Sequence, residues 1–206
     1  DIANFYFYER ERDSVEIYSE KALKIIQRFL PENHFYFALV HQRLAYHYEF
    51  WDDFKKAISH IKRAIFILES RDIYDHRRIA WSYNWLQKIY GYAFQVKTSH
   101  YYQNRAIIDS AYFACFKGLQ AIQPEFTDTG RFALPKIDNL IFDRYMINLL
   151  LNRSSQHLRN FRLTGTIRYL EGFCDGVSMA NKLYQEHLQK RTIRKGREDL
   201  AVEISR

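Results

Sequence analysis

The feature that most constrains this chain is a sequence pattern that recurs every 42 residues. The residues that share this spacing are Ala22, Ala64 and Ala106, then Leu44 with Leu86, and Tyr48 with Tyr90. The three alanines lie in the similar stretches SEKALKII, IKRAIFIL and QNRAIIDS. A period of about 20 to 50 residues is typical of stacked units that bury their apolar faces only against neighbouring units. Such arrays present extended surfaces, so the spacing favours binding over catalysis.

The composition agrees with helices that pack through large side chains. The 206 residues include 16 Tyr and 16 Phe but only three Pro and seven Gly, too few turn residues for a long β fold. No run of about 18 apolar residues is present, so we expect no membrane span. Cys115 and Cys174 are too few for a disulfide framework, and we interpret both as reduced, buried thiols of a cytoplasmic protein.

Breaks in the apolar pattern divide residues 1–122 into short helices. A first apolar stripe that includes Ile17, Ile25 and Phe29 ends at Pro31. Further helices are predicted over about 34–50, 53–70, 75–94 and 99–122. Their predicted caps are Asp52 or Asp53 for the helix at 53 and Thr98 or Ser99 for the helix at 99. The link between the helices 34–50 and 53–70 is so short that they must be antiparallel neighbours.

The regular pattern stops after residue 122. A loop is predicted at 123–130, followed by a helix that begins near Pro135 and carries a buried apolar run to Leu151. Ser154 or Ser155 is expected to cap the next helix. The expectations for the remaining residues are an irregular segment around Gly165, Gly172 and Gly176, then a last helix over about 177–191. Three regions follow: helical repeats at 1–122, an irregular helical cap at 123–190 and a charged, frayed tail at 191–206.

The unit at 34–70 resembles a tetratricopeptide repeat (TPR), a pair of helices with small residues where the two helices approach closely. The matching positions are Leu44, Ala45 and Tyr48 in the first helix and Ala57, Ile61 and Ala64 in the second. The spacing of 42 is similar to that of the longer subclass found in kinesin light chains and in bacterial signalling and defence proteins. The resemblance implies an all-α array of antiparallel hairpins in a right-handed superhelix, with an atypical C-terminal segment. It also implies that the chain begins inside the first helix of a truncated repeat.

In this family the first helices of the units line a groove that holds a peptide or a partner helix. The resemblance places seven residues there: Gln42, Tyr46, Glu49, Trp81, Asn84, Lys88 and Tyr92, with Leu39, Asn4, Phe7 and Tyr8 beside them. Asn and Gln can pair with a peptide backbone, and Tyr and Trp supply contact area. The alternative is that these side chains pack against neighbouring helices or against a C-terminal segment folded into the groove.

A second interpretation follows from the distribution of charge. Residues 1–130 hold 17 Lys/Arg and 16 Asp/Glu, whereas residues 131–206 hold 14 and 8, so the net charge of +7 is concentrated in the last third. Arginines suit phosphate contacts, and interleaved aromatic residues such as Phe161 and Tyr169 could stack on bases. The candidate contacts to nucleic acid or to an acidic partner are Arg153, Arg159, Arg162, Arg168, Arg191 and Arg194. The alternative is a solvated helix face.

Motifs for metal binding or catalysis are absent from the sequence. His34, His41 and His47 are seven and six residues apart, and neither gap gives the three- or four-residue spacing of a chelating pair on a helix. No phosphate-binding loop or cysteine motif is present. We therefore expect a binding or sensor module for a protein or peptide, without cofactor or enzymatic activity, as part of a larger signalling, regulatory or defence protein. Nucleic-acid binding is the alternative, and a homo-oligomer is possible because the exposed ends of such arrays often pair.

Overall fold

A computed structural model shows that the chain is built of α-helices. It describes residues 11–71, 75–96, 105–136 and 144–204, with side chains described throughout except at 94–96 and 193–204. Within these ranges there are seven helices and no strand, which confirms the all-α prediction. The helices are α1 (Arg12–Gln27), α2 (Phe35–Phe50), α3 (Phe54–Glu69), α4 (His76–Val96), α5 (Arg105–Ile122), α6 (Arg144–Thr164) and α7 (Ile167–Ile204).

Two aspartates form the reversal between α2 and α3. Asp52 has a φ of 57°, in the left-handed region that Asp tolerates better than most residues. Asp53 then caps α3, because its Oδ1 accepts a hydrogen bond from the Lys56 N–H at 3.2 Å. The predicted cap is therefore Asp53, and the two helices pack closely as a hairpin. The alternative caps at Thr98 and Ser99 lie outside the described residues.

The residues that carry the repeat form the core of the α2–α3 hairpin. All six positions matched to the repeat family are at most 5% exposed: Leu44, Ala45, Tyr48, Ala57, Ile61 and Ala64. Leu86 and Tyr90 on α4 are buried in the same cluster, as their 42-residue relationship predicts. Ala106 is different, because it is exposed in the first turn of α5. Small residues are therefore buried where α2 and α3 approach each other, whereas Ala106, the equivalent alanine on α5, is not buried.

Helix α1 is held against the α2–α3 turn by ion pairs and by a narrow apolar face. Arg12 Nη2 lies 2.7 Å from Asp53 Oδ2, and Lys56 Nζ lies 3.3 Å from Glu16 Oε1. Val15 is buried, but the predicted stripe is only partly correct. Three of its apolar residues, Ile17, Ile25 and Phe29, are at least half exposed. Ile17 and Ile25 are on α1 itself, and Phe29 follows the end of that helix.

Helices α2, α4 and α6 lie side by side and run in the same direction. Gln42 on α2 bonds to Ser82 on α4, and further along the chain Asn84 and Gly91 on α4 bond to Asn152 and Arg159 on α6. Helix α4 also packs against α3 and α5, and α6 against α5 and α7. The three parallel helices therefore form one layer. A binding site is expected in a cleft between neighbouring helices of this layer.

The C-terminal segment is more regular than the sequence predicts. Ser154 and Ser155 do not cap a helix, because both lie inside α6, where their hydroxyls donate to the carbonyls of Leu150 and Leu151. The chain reverses at Gly165, which has a φ of 66°, and α7 then continues to Ile204. The expected irregular segment before residue 177 is therefore wrong, and the helix continues through residues 191 to 204, where the sequence predicts a frayed tail.

Close packing between α6 and α7 explains why glycines occur inside a helix. A Cβ atom on Gly176 would overlap the Ser154 hydroxyl oxygen, so beside this serine the contact between the two helices has room for glycine only. The sequence alone presents such glycines as helix breakers. Here they are contact points of an antiparallel hairpin that stacks on α4 and α5.

Candidate ligand-binding site

A cavity of about 750 Å³ opens between α2, α4 and the start of α6. The residues that line it are Leu39, Gln42, Arg43 and Tyr46 from α2, Asp75, Arg77, Arg78, Trp81 and Trp85 from α4 and the residue before it, and Arg144 and Tyr145 from α6. Three of the seven residues predicted for the groove, Gln42, Tyr46 and Trp81, are therefore at this cavity, together with Leu39. Asn4, Phe7 and Tyr8 lie outside the described residues.

Three aromatic rings form a continuous surface in the cavity. The ring centroids of Trp81 and Trp85 are 5.3 Å apart, and Tyr46 lies 5.6 Å from Trp85 across the gap between α2 and α4. Trp85 is not among the residues predicted for the groove. Its position four residues after Trp81 places both on one helix face, which is a signal that the sequence carries.

Although Gln42 lines the cavity, its side-chain amide is bonded to a neighbouring helix. It is 4% exposed, and its Nε2 donates to Ser82 Oγ at 2.8 Å. Ser82 Oγ in turn donates to the Arg78 carbonyl oxygen at 2.9 Å. The Gln42 amide therefore joins α2 to α4 and fixes the two walls of the cavity relative to each other.

Helix α6 covers Asn84, the second amide predicted for the groove. Asn84 is 8% exposed, and its Oδ1 accepts a hydrogen bond from Asn152 Nδ2 at 2.8 Å. The expectation that Gln42 and Asn84 pair with a peptide backbone therefore has no support in their contacts. At Asn84 the groove is filled by the chain's own C-terminal part, which is the alternative left open by the sequence.

Glu49, Lys88 and Tyr92 form a second group beyond Trp85. Lys88 Nζ is 3.2 Å from Glu49 Oε1 and lies over the rings of Trp85, at 4.6 Å, and Tyr92, at 5.2 Å. Desolvation raises the pKa of the half-buried Glu49 carboxyl, and the Lys88 ammonium opposes that shift. This group joins α2 to α4 next to the cavity, but none of its three members lines the cavity itself.

Four arginines line the cavity, Arg43, Arg77, Arg78 and Arg144, and none of them is among the site residues predicted from the sequence. Arg78 pairs with Asp75 at 3.4 Å, and the Asp75 carboxylate also caps α4 by accepting from the Arg78 N–H at 3.1 Å. Arg43 is exposed on α2, between Leu39 and Tyr46. A helical spacing of four residues from Leu39 to Arg43 would have identified it. Arg144 lies at the cavity because of the way α6 packs, and no local sequence pattern predicts that position.

The arginines predicted to contact nucleic acid do not form one surface. Arg153 is 5% exposed, and its guanidinium donates to the carbonyl oxygens of Gly130, Arg131 and Ala133, so it holds the loop that precedes α6. Arg159 is half-buried and donates to the Gly91 carbonyl at 3.0 Å. Burial lowers the pKa of the Arg159 guanidinium, which is characteristic of a packed side chain and not of a phosphate contact in solvent.

The remaining members of that set are exposed, or their side chains are not described. Arg162 and Arg191 are exposed on α6 and α7, and Arg168 lies 4.7 Å from the ring of Phe132. The Arg194 side chain is outside the described residues. Tyr169, expected to stack on bases, instead accepts a hydrogen bond from Arg131 at 2.8 Å. The described arginines of the set therefore do not extend the cavity into a charged track.

The two cysteines differ from each other. Cys115 is buried, and desolvation raises the pKa of its thiol to about 11, which leaves it protonated and unreactive at neutral pH. Cys174 is exposed on α7, so the expectation of a second buried thiol is wrong. It lies on the outer side of the α6–α7 hairpin because the glycine face of α7 is the one that packs on α6.

The histidines have structural contacts. His34 caps α2 by accepting from the Tyr36 N–H at 3.3 Å, and the Nδ1 atoms of His41 and His60 are 3.0 Å apart. His47 is buried, and desolvation followed by the charge of Arg43 lowers its pKa to about 4. In the part of the chain that the structure describes, no three His, Cys, Asp or Glu side chains come together as a metal site.

No helix among the described residues is both long and apolar enough to cross a membrane. Comparison of the chain with protein-family models finds no match, and comparison with curated protein sequences finds none either.

Proposed function

We propose that this chain is a binding module that holds a peptide segment of another protein in the cavity between α2, α4 and α6. The observation that carries the proposal is the cavity itself, which three side-by-side parallel helices build and a run of aromatic rings lines. Its volume of about 750 Å³ is within the usual range of ligand sites, roughly 300 to 1,000 Å³. A TPR-like array of hairpins in a right-handed superhelix would present such a surface, and that finer description of the fold is part of the proposal.

The side chains at the cavity suit binding better than catalysis. Trp81, Trp85 and Tyr46 offer large rigid area with few rotors to restrict, as anchor residues of interfaces do. The titratable groups beside them are mainly arginines, which stay protonated and cannot act as general bases. The carboxylate in the group, Asp75, is already engaged as a helix cap and in an ion pair with Arg78.

The walls of the cavity are fixed before any ligand arrives. The Gln42–Ser82 hydrogen bond connects α2 to α4, and the Asn152–Asn84 bond connects α6 to α4. A site that needs little reorganisation loses less free energy on binding. The expectation that the chain acts within a larger signalling, regulatory or defence protein stays a prediction.

The experiment is a selection of a random twelve-residue peptide library on the purified chain, followed by fluorescence anisotropy of the best labelled peptide. Trp81→Ala should weaken that peptide at least tenfold, because the substitution removes one anchor of the aromatic surface. Phe66→Ala is the matched control, since Phe66 is 61% exposed on α3 and does not line the cavity. Circular dichroism melts establish that both variants fold.

Two outcomes would overturn the proposal. One is a selection without enrichment, and the other is a selected peptide whose affinity is unchanged by Trp81→Ala. A labelled single-stranded oligonucleotide serves as the competing ligand in the same assay. Binding of that oligonucleotide with a steep salt dependence, in the absence of peptide binding, would assign the function to nucleic acid instead.

A further inference from the structure

Polar side chains join α4 to α6 over about two turns of each helix. Their hydrogen bonds run from Asn152 Nδ2 to Asn84 Oδ1 at 2.8 Å, from Gln156 Nε2 to the Gln87 carbonyl oxygen at 3.4 Å, and from Arg159 Nη1 to the Gly91 carbonyl oxygen at 3.0 Å. We refer to these six residues as the polar seam. Packed helices normally meet through apolar side chains, so a row of amide and guanidinium contacts between two neighbouring helices needs a physical explanation.

The polar seam does not satisfy all of its own polar atoms. Gln87 is fully buried, and neither atom of its side-chain amide makes a hydrogen bond of normal length and angle with a described residue. The same holds for Oε1 of Gln156, which is also buried. A buried polar atom without a partner costs free energy that hydration recovers. The polar seam therefore holds α6 to α4 less firmly than an apolar contact of the same size would.

The polar seam lies between two apolar clusters. The first cluster contains core residues of α2, α3 and α4, together with Ala111 and Ala114 on α5. The second joins α5 to α6 and α7, and its buried members on these helices are Cys115, Leu119, Met146, Leu149, Leu150, Ala180 and Leu183. Among the described residues, α5 has buried members in both clusters, whereas α6 and α7 have them in the second alone. A part of a chain with its own apolar cluster can move as a unit against the rest.

The other contacts of α6 define the axis of such a motion. The Tyr112 hydroxyl on α5 bonds to His157 and Asn160 of α6. Tyr145, at the start of α6, packs against the first cluster. Helix α6 is thus anchored to α5 and, at its start, to the first cluster, while its contact with α4 further along is the polar seam. Separation of α6 from α4 is therefore expected at the polar seam.

We propose that the α6–α7 hairpin is a movable cover of α4, which turns about α5 and opens along the polar seam while both apolar clusters stay intact. Opening brings water to the amides of Gln87 and Gln156 and exposes Asn84, which is next to Trp85 of the cavity. The cavity then continues along α4 as a longer groove. This inference goes beyond the proposed function, because it concerns the free protein and does not depend on the ligand of the cavity.

The test measures how fast a thiol placed beneath the cover reacts with a small disulfide reagent in the folded protein. Gln87→Cys places the thiol in the polar seam, and Ala57→Cys, at an equally buried position on α3, is the matched control. Both are made in a chain that carries Cys115→Ala and Cys174→Ala, and each rate is corrected for the global stability of its variant, measured by urea unfolding. We expect the thiol at position 87 to react at least about tenfold faster than the thiol at position 57. Its rate should depend only weakly on urea, because local opening exposes less surface than global unfolding.

A further substitution tests the polar seam itself. Asn152→Ala removes the hydrogen bond to Asn84 and should accelerate the reaction at position 87 by about threefold to tenfold, while the corrected rate at position 57 stays unchanged. Equal corrected rates at the two positions, with the same strong dependence on urea, would show that α6 leaves α4 only when the whole chain unfolds, and would overturn the proposal. A reaction at position 87 that Asn152→Ala does not accelerate would overturn it as well.

Discussion

The Tyr112 hydroxyl oxygen lies 2.9 Å from His157 Nδ1 in the interior between α5 and α6. Asn160 Nδ2 donates to the same hydroxyl oxygen at 3.0 Å, which leaves the hydroxyl proton available for donation to a neutral imidazole. Burial, followed by the charge of the nearby Arg153, lowers the pKa of His157 to about 3.

This arrangement predicts that the protein loses stability in mild acid. The unfolded chain binds a proton at His157 near pH 6.5, whereas the folded chain resists it down to about pH 3. Because the unfolded state then binds more protons, the contribution is complete above pH 6.5 and is lost as the pH falls through this window. Between pH 7 and pH 5, His157→Gln should reduce the pH dependence of the unfolding free energy by about 1 to 2 kcal/mol. Urea titrations at both pH values measure it, and an unchanged pH dependence in the variant would contradict the assignment.

The contact of Gly176 with Ser154 predicts a substitution that is harmful alone and harmless in combination. Gly176→Ala should destabilise the chain by about 1 to 3 kcal/mol, because its Cβ overlaps the Ser154 hydroxyl oxygen. Adding Ser154→Ala removes that oxygen, and the nearest remaining atoms are then at ordinary contact distances. The double variant should recover the wild-type melting temperature or exceed it, since alanine favours a helix over glycine. Additive losses in thermal melts would show that the helices do not approach closely at this point.

Two arginines of the basic set should respond differently to the same substitution. Arg153→Met removes the donor that satisfies three carbonyl groups of the loop before α6, and we expect a loss of about 2 to 4 kcal/mol. Arg162→Met, on the exposed face of the same helix, should change the unfolding free energy by less than about 0.5 kcal/mol. Urea unfolding of both variants provides the comparison. Equal stabilities would mean that Arg153 does not support the loop.

The Lys88–Glu49 pair predicts a loss that depends on pH. Lys88→Met leaves the half-buried Glu49 carboxylate without its ammonium partner, which should cost about 1 to 3 kcal/mol at pH 7. The pKa of Glu49 then rises further above its unfolded value, so the loss should diminish as the pH falls towards 4 and the carboxyl is protonated. Adding Glu49→Gln should restore most of the stability at pH 7. A deficit that persists in the double variant would assign the effect to the aromatic contacts of Lys88.

Most of the helical framework could be predicted from local sequence. The Asp53 cap, the break at Pro31 and the buried Leu44 and Tyr48 follow from capping and periodicity, which act over a few residues. Gly176 and Ser154 were misinterpreted because the same residue types have different roles when another helix touches them. Of the aromatic residues at the candidate site, Tyr46 and Trp81 were predicted from the sequence. Its arginines were not, because the groove positions implied by the resemblance to the repeat family do not include them.

By itself, the sequence determined that the chain is helical and that Leu44 and Leu86, and likewise Tyr48 and Tyr90, occupy equivalent buried positions 42 residues apart. Only the tertiary structure decided that Gln42 and Asn84 bond to neighbouring helices and that Arg144 reaches the same cavity as Arg43 and Trp81. The physical reason is the distance along the chain over which each kind of interaction acts. Periodicity and caps depend on residues within one or two turns, whereas the position of α6 depends on how all the side chains between two helices fit together.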